Sequence, residues 1–157
     1  MLKIKELSII LLILYIRGCK DASDSENFAF KYSMESINNY KVEFQLNPDS
    51  TYKIGLYNYF FDNYERAKRP QYKEGKLSKK EYEIFNELID KSDIKRMKDS
   101  YGFDNTTENS IIYMFELTRG GKTKYVTINA NTNHKFFNSF NRLIEYTSNF
   151  INEKINE

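Results

Sequence analysis

The sequence predicts an α+β domain: a mostly antiparallel sheet of about five strands in the order β-β-β-α-β-β-α, with two helices packed on one face. Three observations carry this expectation. Apolar residues alternate in short runs at 28–34, 40–46 and 52–61, and again on either side of Gly120 and Gly121. Two stretches, 79–91 and 136–151, switch to helical spacing. A length of 157 residues with 16% aromatic side chains supplies one core and lies far from the composition of unfolded chains.

Phe28, Phe30, Tyr32 and Met34 occupy alternate positions, as a half-buried strand requires, and Tyr40, Val42, Phe44 and Leu46 repeat the period. Asn47 to Ser50 form a turn, because Pro48 presets φ and Asp49 can bond its own backbone. In the third run Tyr52, Ile54 and Leu56 share a face while Tyr57, Tyr59 and Phe61 take the other phase. That handover implies either a bulge or a strand covered on both sides. Residues 62–77, with Pro70 and Gly75, read as a polar connection. Ser78 and Glu81 have the spacing of a capping box, and Tyr82, Phe85, Leu88 and Ile89 give a helix over 79–91 its apolar face. Ile94 and Met97 extend it or add a short turn, and 98–109 read as a loop.

Beyond the loop, Ile111, Tyr113, Phe115 and Leu117 line one face of a strand, and Val126, Ile128 and Ala130 line its partner. The glycine pair between them suits the positive φ of a two-residue hairpin turn. Asn131 to Asn133 offer a cap for a last helix with the stripe Phe136, Phe140, Leu143, Ile144, Thr147, Phe150 and Ile151.

Charge is uneven along the chain. Residues 1–18 hold Lys3, Lys5 and Arg17 against Glu6, so the net +2 belongs to them, and 21 cations balance 21 anions from Cys19 onward. A balanced chain lacks the accumulated positive charge that a phosphate backbone selects, so no nucleic-acid partner is expected. Leu7 to Ile16 are apolar apart from Ser8. As a helix they would span about 15 Å against about 30 Å of hydrocarbon, too little for a membrane crossing. The basic flank, short apolar run and small Gly18 match a signal peptide.

Ile16, Arg17, Gly18 and Cys19 resemble the lipobox of bacterial lipoprotein precursors. The aliphatic residue stands three before the cysteine and the small residue directly before it, whereas Arg17 departs from the usual small or apolar residue. This resemblance covers the first 19 residues and rests on a start, basic flank, short apolar core, small residue and cysteine occurring in that order. It implies cleavage before Cys19, diacylglycerol on its sulfur and acylation, such as palmitate, of the new amino group. Several chains together hold a protein on a membrane that one chain binds marginally. The implied organisation is a signal peptide at 1–18, a lipid anchor and flexible tether at 19–27, and a single domain at 28–157.

The implied location is the bacterial cell envelope, at the outer membrane. The acidic tether with Asp21, Asp24 and Glu26 also resembles the signal that sends some lipoproteins of Bacteroides-like bacteria to the cell surface. In element order alone, residues 38–150 loosely resemble small lipoprotein domains of such bacteria, a likeness that assigns no activity.

Enzymatic constellations are sparse. His134 is the only histidine, which excludes a histidine-rich zinc site and leaves a serine triad to be built on it alone. It reads as a surface or capping residue beside the last helix. Gly120 and Gly121 lack phosphate-loop spacing, 104–109 lack a calcium-ligand ladder, and no cofactor is expected. Carboxylates need no motif: Asp62 with Glu65, or Glu81 with Glu83 and Glu87, are candidates for paired acid/base work. Lys79 and Lys80 account for the second set as solvated helix charges.

A binding surface is the stronger candidate. Tyr57, Tyr59, Phe61, Tyr64 and Tyr72 lie beside Arg66 and Arg69, a mixture suited to a protein, peptide or glycan partner. The expected function is therefore a lipid-anchored envelope protein with a non-enzymatic binding or structural module. The alternative is a hydrolase acting on an envelope polymer or glycan through paired carboxylates.

Overall fold

The computed structural model describes residues 27–36, 39–58, 70–104 and 110–157. The strands are β1 (Phe28–Ser36), β2 (Tyr40–Leu46), β3 (Thr51–Asn58), β4 (Gln71–Lys76), β5 (Ser100–Tyr101), β6 (Ile111–Arg119) and β7 (Lys122–Asn129). Two helices, α1 (Lys79–Lys91) and α2 (Asn138–Asn156), and a 3-10 turn at Ile94–Arg96 complete the described elements. The sheet order is β4-β3-β2-β1-β6-β7-β5, antiparallel throughout except where β5 runs parallel to β7. The antiparallel sheet and its two helices are as the sequence predicts.

Two edge strands enlarge it. β4 arises within the segment that reads as a polar connection, and β5 within the segment that reads as a loop. An edge strand can be polar on both faces, as Gln71, Lys73, Glu74 and Lys76 are, so it carries no apolar alternation. Gly75 lies opposite Tyr52, and a β-carbon on it would stand 2.6 Å from the tyrosine hydroxyl oxygen. Glycine therefore makes room for a ring from the neighbouring strand. β5 has only two residues, too few for any period.

The phase change in β3 involves no bulge. Its pairing with β2 runs unbroken from Tyr40↔Asn58 to Leu46↔Tyr52. Both faces of the strand are partly covered instead, with Tyr52 and Ile54 buried on the helix side and Tyr57 half-buried on the other.

The core lies between the sheet and the helices. Phe28, Phe30 and Tyr32 of β1, Phe44 and Leu46 of β2, and Phe115 and Leu117 of β6 all face it. Phe44 stacks on Phe85 of α1 at 5.4 Å and meets Phe150 of α2 edge-on at 5.6 Å. Phe115 packs on Phe140 at 5.0 Å, so α2 touches both halves of the sheet.

Local signals fix the ends. The capping box is present: the Glu81 amide donates to Ser78 Oγ at 3.2 Å and the Ser78 amide donates to Glu81 Oε2 at 2.7 Å. Ser78→Ala is therefore expected to lower stability by about 1 kcal/mol in urea unfolding. Gly120 and Gly121 have φ of 58° and 70°, as the hairpin requires. The cap predicted at Asn131 to Asn133 is absent, and α2 starts after Phe137 with no side-chain cap. The polar groups there close their own turn instead: the Asn131 amide donates to buried Asn129 Oδ1 at 3.0 Å, and the His134 amide to Thr132 Oγ1 at 3.2 Å.

Burial raises the hydroxyl pKa of Tyr32, Tyr52, Tyr113 and Tyr146 above the ordinary tyrosine value. The folded state thus holds these protons more tightly than the unfolded chain. Their stabilisation is whole below pH about 10 and is lost as pH rises through the folded-state values. In an alkaline titration, tyrosinate absorbance should rise together with loss of far-ultraviolet ellipticity. Full ionisation with the ellipticity intact would contradict this.

Candidate functional site

Strand alternation sends the other half of every strand to the face that carries no helix. The register sorts those residues into rows that cross the strands. One row runs Tyr72, Gly55, Glu43, Ser33, Met114 and Thr127 from β4 to β7. Gly55 and Ser33 are the small residues of this row, and the space above Gly55 is taken by the Tyr57 ring. The next row runs Glu74, Lys53, Gln45, Lys31, Glu116 and Tyr125. Together, Glu74 apart, they border a cleft of about 690 Å³ that extends across the sheet.

The second row is a charge ladder. Lys53 meets Glu74 at 2.8 Å and Lys31 meets Glu116 at 3.1 Å. From the opposite side of the first row, Lys41 meets Glu43 at 2.6 Å. Exposed pairs of this kind add little stability, and the cleft lining itself holds Lys31, Lys41 and Lys53 against Glu43 and Glu116.

Tyr57 lies across its own strand. A β-carbon at Gly55 would stand 2.9 Å from the Tyr57 ring, so the glycine is what lets the ring lie down. Its hydroxyl donates to Glu43 Oε2 at 2.8 Å. That hydrogen bond, with Tyr72 adding to it, pushes the Tyr57 hydroxyl well above the ordinary tyrosine value. Burial acts to raise Glu43, but hydrogen bonds from Lys41 and Tyr57 outweigh it and hold the carboxyl below its usual range.

Tyr72 meets Tyr57 edge-on at 6.1 Å, and the Lys53 ammonium sits 4.5 Å from the Tyr72 ring centre. Tyr72 is 53% exposed, and Tyr125 at the far rim is 58% exposed.

The structure thus brings together Tyr57 and Tyr72 from the predicted surface. Tyr59, Phe61, Tyr64, Arg66 and Arg69 lie outside the described residues, as do Cys19, Asp62 and Glu65. Lys31, Gln45, Lys53, Glu116 and Tyr125 were not legible as site residues, because only the strand register makes them neighbours. Their sequence signal is polar alternation within strands, which looks like an ordinary solvated face.

The helix carboxylates point elsewhere. Glu81 belongs to the capping box, Glu83 lies 3.8 Å from Lys79, and Glu87 pairs with Lys91. The Ser78 hydrogen bond lowers the Glu81 pKa, and that from Lys91 lowers the Glu87 pKa. His134 is exposed, with its ring 4.6 Å from Tyr101 and 4.8 Å from Phe136. Among the described residues no group of three or more His, Cys, Asp or Glu could hold a metal ion. No described helix is long and apolar enough to cross a membrane. No family model matches the chain, and no curated protein matches it either.

Proposed function

We propose that this chain is a lipid-anchored protein of the bacterial cell envelope, held at the outer membrane through acylated Cys19. Its domain is a non-enzymatic binding module whose working surface is the helix-free face of the sheet. One observation supports this most: a cleft crosses that face, lined by Ser33, Glu43, Gln45 and Tyr57 and rimmed by the exposed rings of Tyr72 and Tyr125. A solvated face alone is ordinary for an antiparallel sheet. A depression crossing several strands, with large exposed tyrosines at both ends, is the form expected of a recognition surface.

Anchorage rests on the order of basic flank, apolar run, Gly18 and Cys19. Nine tether residues reach about 30 Å when extended, enough to lift the domain clear of the bilayer. Intact-mass measurement of membrane-extracted protein should find residues 1–18 removed and acyl mass on Cys19. A chain that retains Arg17, or carries an unmodified Cys19, overturns the anchor.

The binding surface is tested in cells with a photoreactive residue in place of Tyr125 on the open face or Asn149 on the helix layer. An adduct with envelope material is expected from the first position and not the second. Equal yields, or none at either, would overturn it. The hydrolase alternative draws less support, because each helix carboxylate considered for it is engaged with its own helix.

A further inference from the structure

The geometry points to a neutral, linear oligosaccharide as the ligand of the open cleft, an inference that rests on the binding-surface reading above. Charge narrows the class first. Lys31, Lys41 and Lys53 are matched by Glu116, Glu43 and Glu74 at 3.1, 2.6 and 2.8 Å. An anionic or cationic ligand would have to compete with the partner that each of these groups already holds. A neutral ligand would not.

Hydrogen-bonding capacity narrows it further. Each Lys–Glu pair sets ammonium donors beside carboxylate acceptors, and Gln45 and Thr127 offer both kinds of group. A hydroxyl is itself both donor and acceptor, so a sugar's vicinal hydroxyls complement this pattern. The rims supply the second feature of sugar recognition. Tyr72 and Tyr125 expose 53% and 58% of their surface, and the negative face of an aromatic ring attracts the positive C–H edge of a pyranose.

Shape disfavours a peptide added as a strand. From β4 to β7 the cleft crosses five interstrand steps, about 24 Å, which suits an extended chain rather than a single small molecule. A peptide added as a further strand needs backbone partners at a sheet edge. Here the floor is made by β3, β2, β1 and β6, each already paired on both sides, so the amides of a peptide would meet side chains alone.

The test is calorimetric titration of the detergent-solubilised full chain with a panel of neutral pentasaccharides: β-1,4-glucan, α-1,4-glucan, β-1,4-linked N-acetylglucosamine and β-1,4-mannan. At least one should bind with a Kd below a millimolar. Tyr72→Ala and Tyr125→Ala should each weaken it about tenfold, the size of one lost ring contact, with the circular dichroism spectrum unchanged. Sulfated or uronic-acid oligosaccharides should bind more weakly than the neutral one.

Absence of binding by the whole panel at millimolar concentration overturns the oligosaccharide assignment, as does binding that both tyrosine variants leave intact. If the photoreactive residue at 125 still captures envelope material, the open face stands as a binding surface and only the ligand class is lost. If it captures nothing, both are lost.

Discussion

Phe44→Ala is expected to lower the free energy of unfolding by about 3–5 kcal/mol, the largest effect foreseen for a single substitution here. Phe44 is 1% exposed, and its ring contacts Phe30, Tyr52, Phe85 and Phe150. It is therefore the point at which β1, β2, β3 and both helices meet. Alanine removes the ring's transfer free energy and leaves a cavity that four rings anchored on separate elements cannot close together. Phe44→Leu retains most of the volume and should recover much of the loss. The measurement is the urea midpoint at constant m-value. A loss below about 1 kcal/mol for Phe44→Ala would mean that the helices do not meet the sheet through this residue.

Arg119→Leu should cost about 1.5–3 kcal/mol, although arginine at the end of a strand would ordinarily be counted as surface. Its side chain is only 9% exposed. It donates to Asp90 and Asn86 on α1, and its guanidinium carbon lies 5.2 Å from the Phe28 ring centre. It thus fastens the end of β6 to the helix layer across Phe28. Asp90 is half exposed and can be rehydrated when the pair is lost, which keeps the cost below that of a fully buried ion pair. Leucine also removes Nε, which is buried without a hydrogen-bond partner among the described residues, and this offsets part of the loss. Arg119→Lys should not restore stability, because a single ammonium cannot reproduce the planar fork that reaches two acceptors. A thermal midpoint unchanged in Arg119→Leu would contradict the fastening role.

Much of the fold is legible where burial is one-sided. Phe28, Phe30 and Tyr32, or Ile111 to Leu117, alternate because one face meets the helices, and Ser78 and Glu81 mark a helix start by local hydrogen bonding alone. β4 escaped because its pairing partner, rather than its own composition, makes it a strand. Tyr52 packs over Gly75, and nothing in Gln71 to Lys76 announces that neighbour. The start of α2 escaped for a related reason: Asn131 and Thr132 are good capping residues, but here they serve the turn that follows β7.

The site divides in the same way. Aromatic density from Tyr57 to Tyr72 was visible, and two of its tyrosines do meet on the open face. The cleft itself depends on the register that sets Tyr57, lying over Gly55, beside Glu43 and Ser33, and the charge ladder depends on pairs such as Lys31 and Glu116, 85 positions apart. Register over that separation is a tertiary property, and no local period encodes it.

Whether the helix-free face is the binding surface is tested most directly by an amide chemical-shift map of the labelled full chain in detergent, titrated with solubilised envelope polymer. Shifts should centre on Lys53, Tyr72, Tyr125 and Thr127, with Glu87, Arg142 and Asn149 on the helix layer unmoved. Shifts centred on the helix layer, or a spectrum that saturating polymer leaves unchanged, would contradict it.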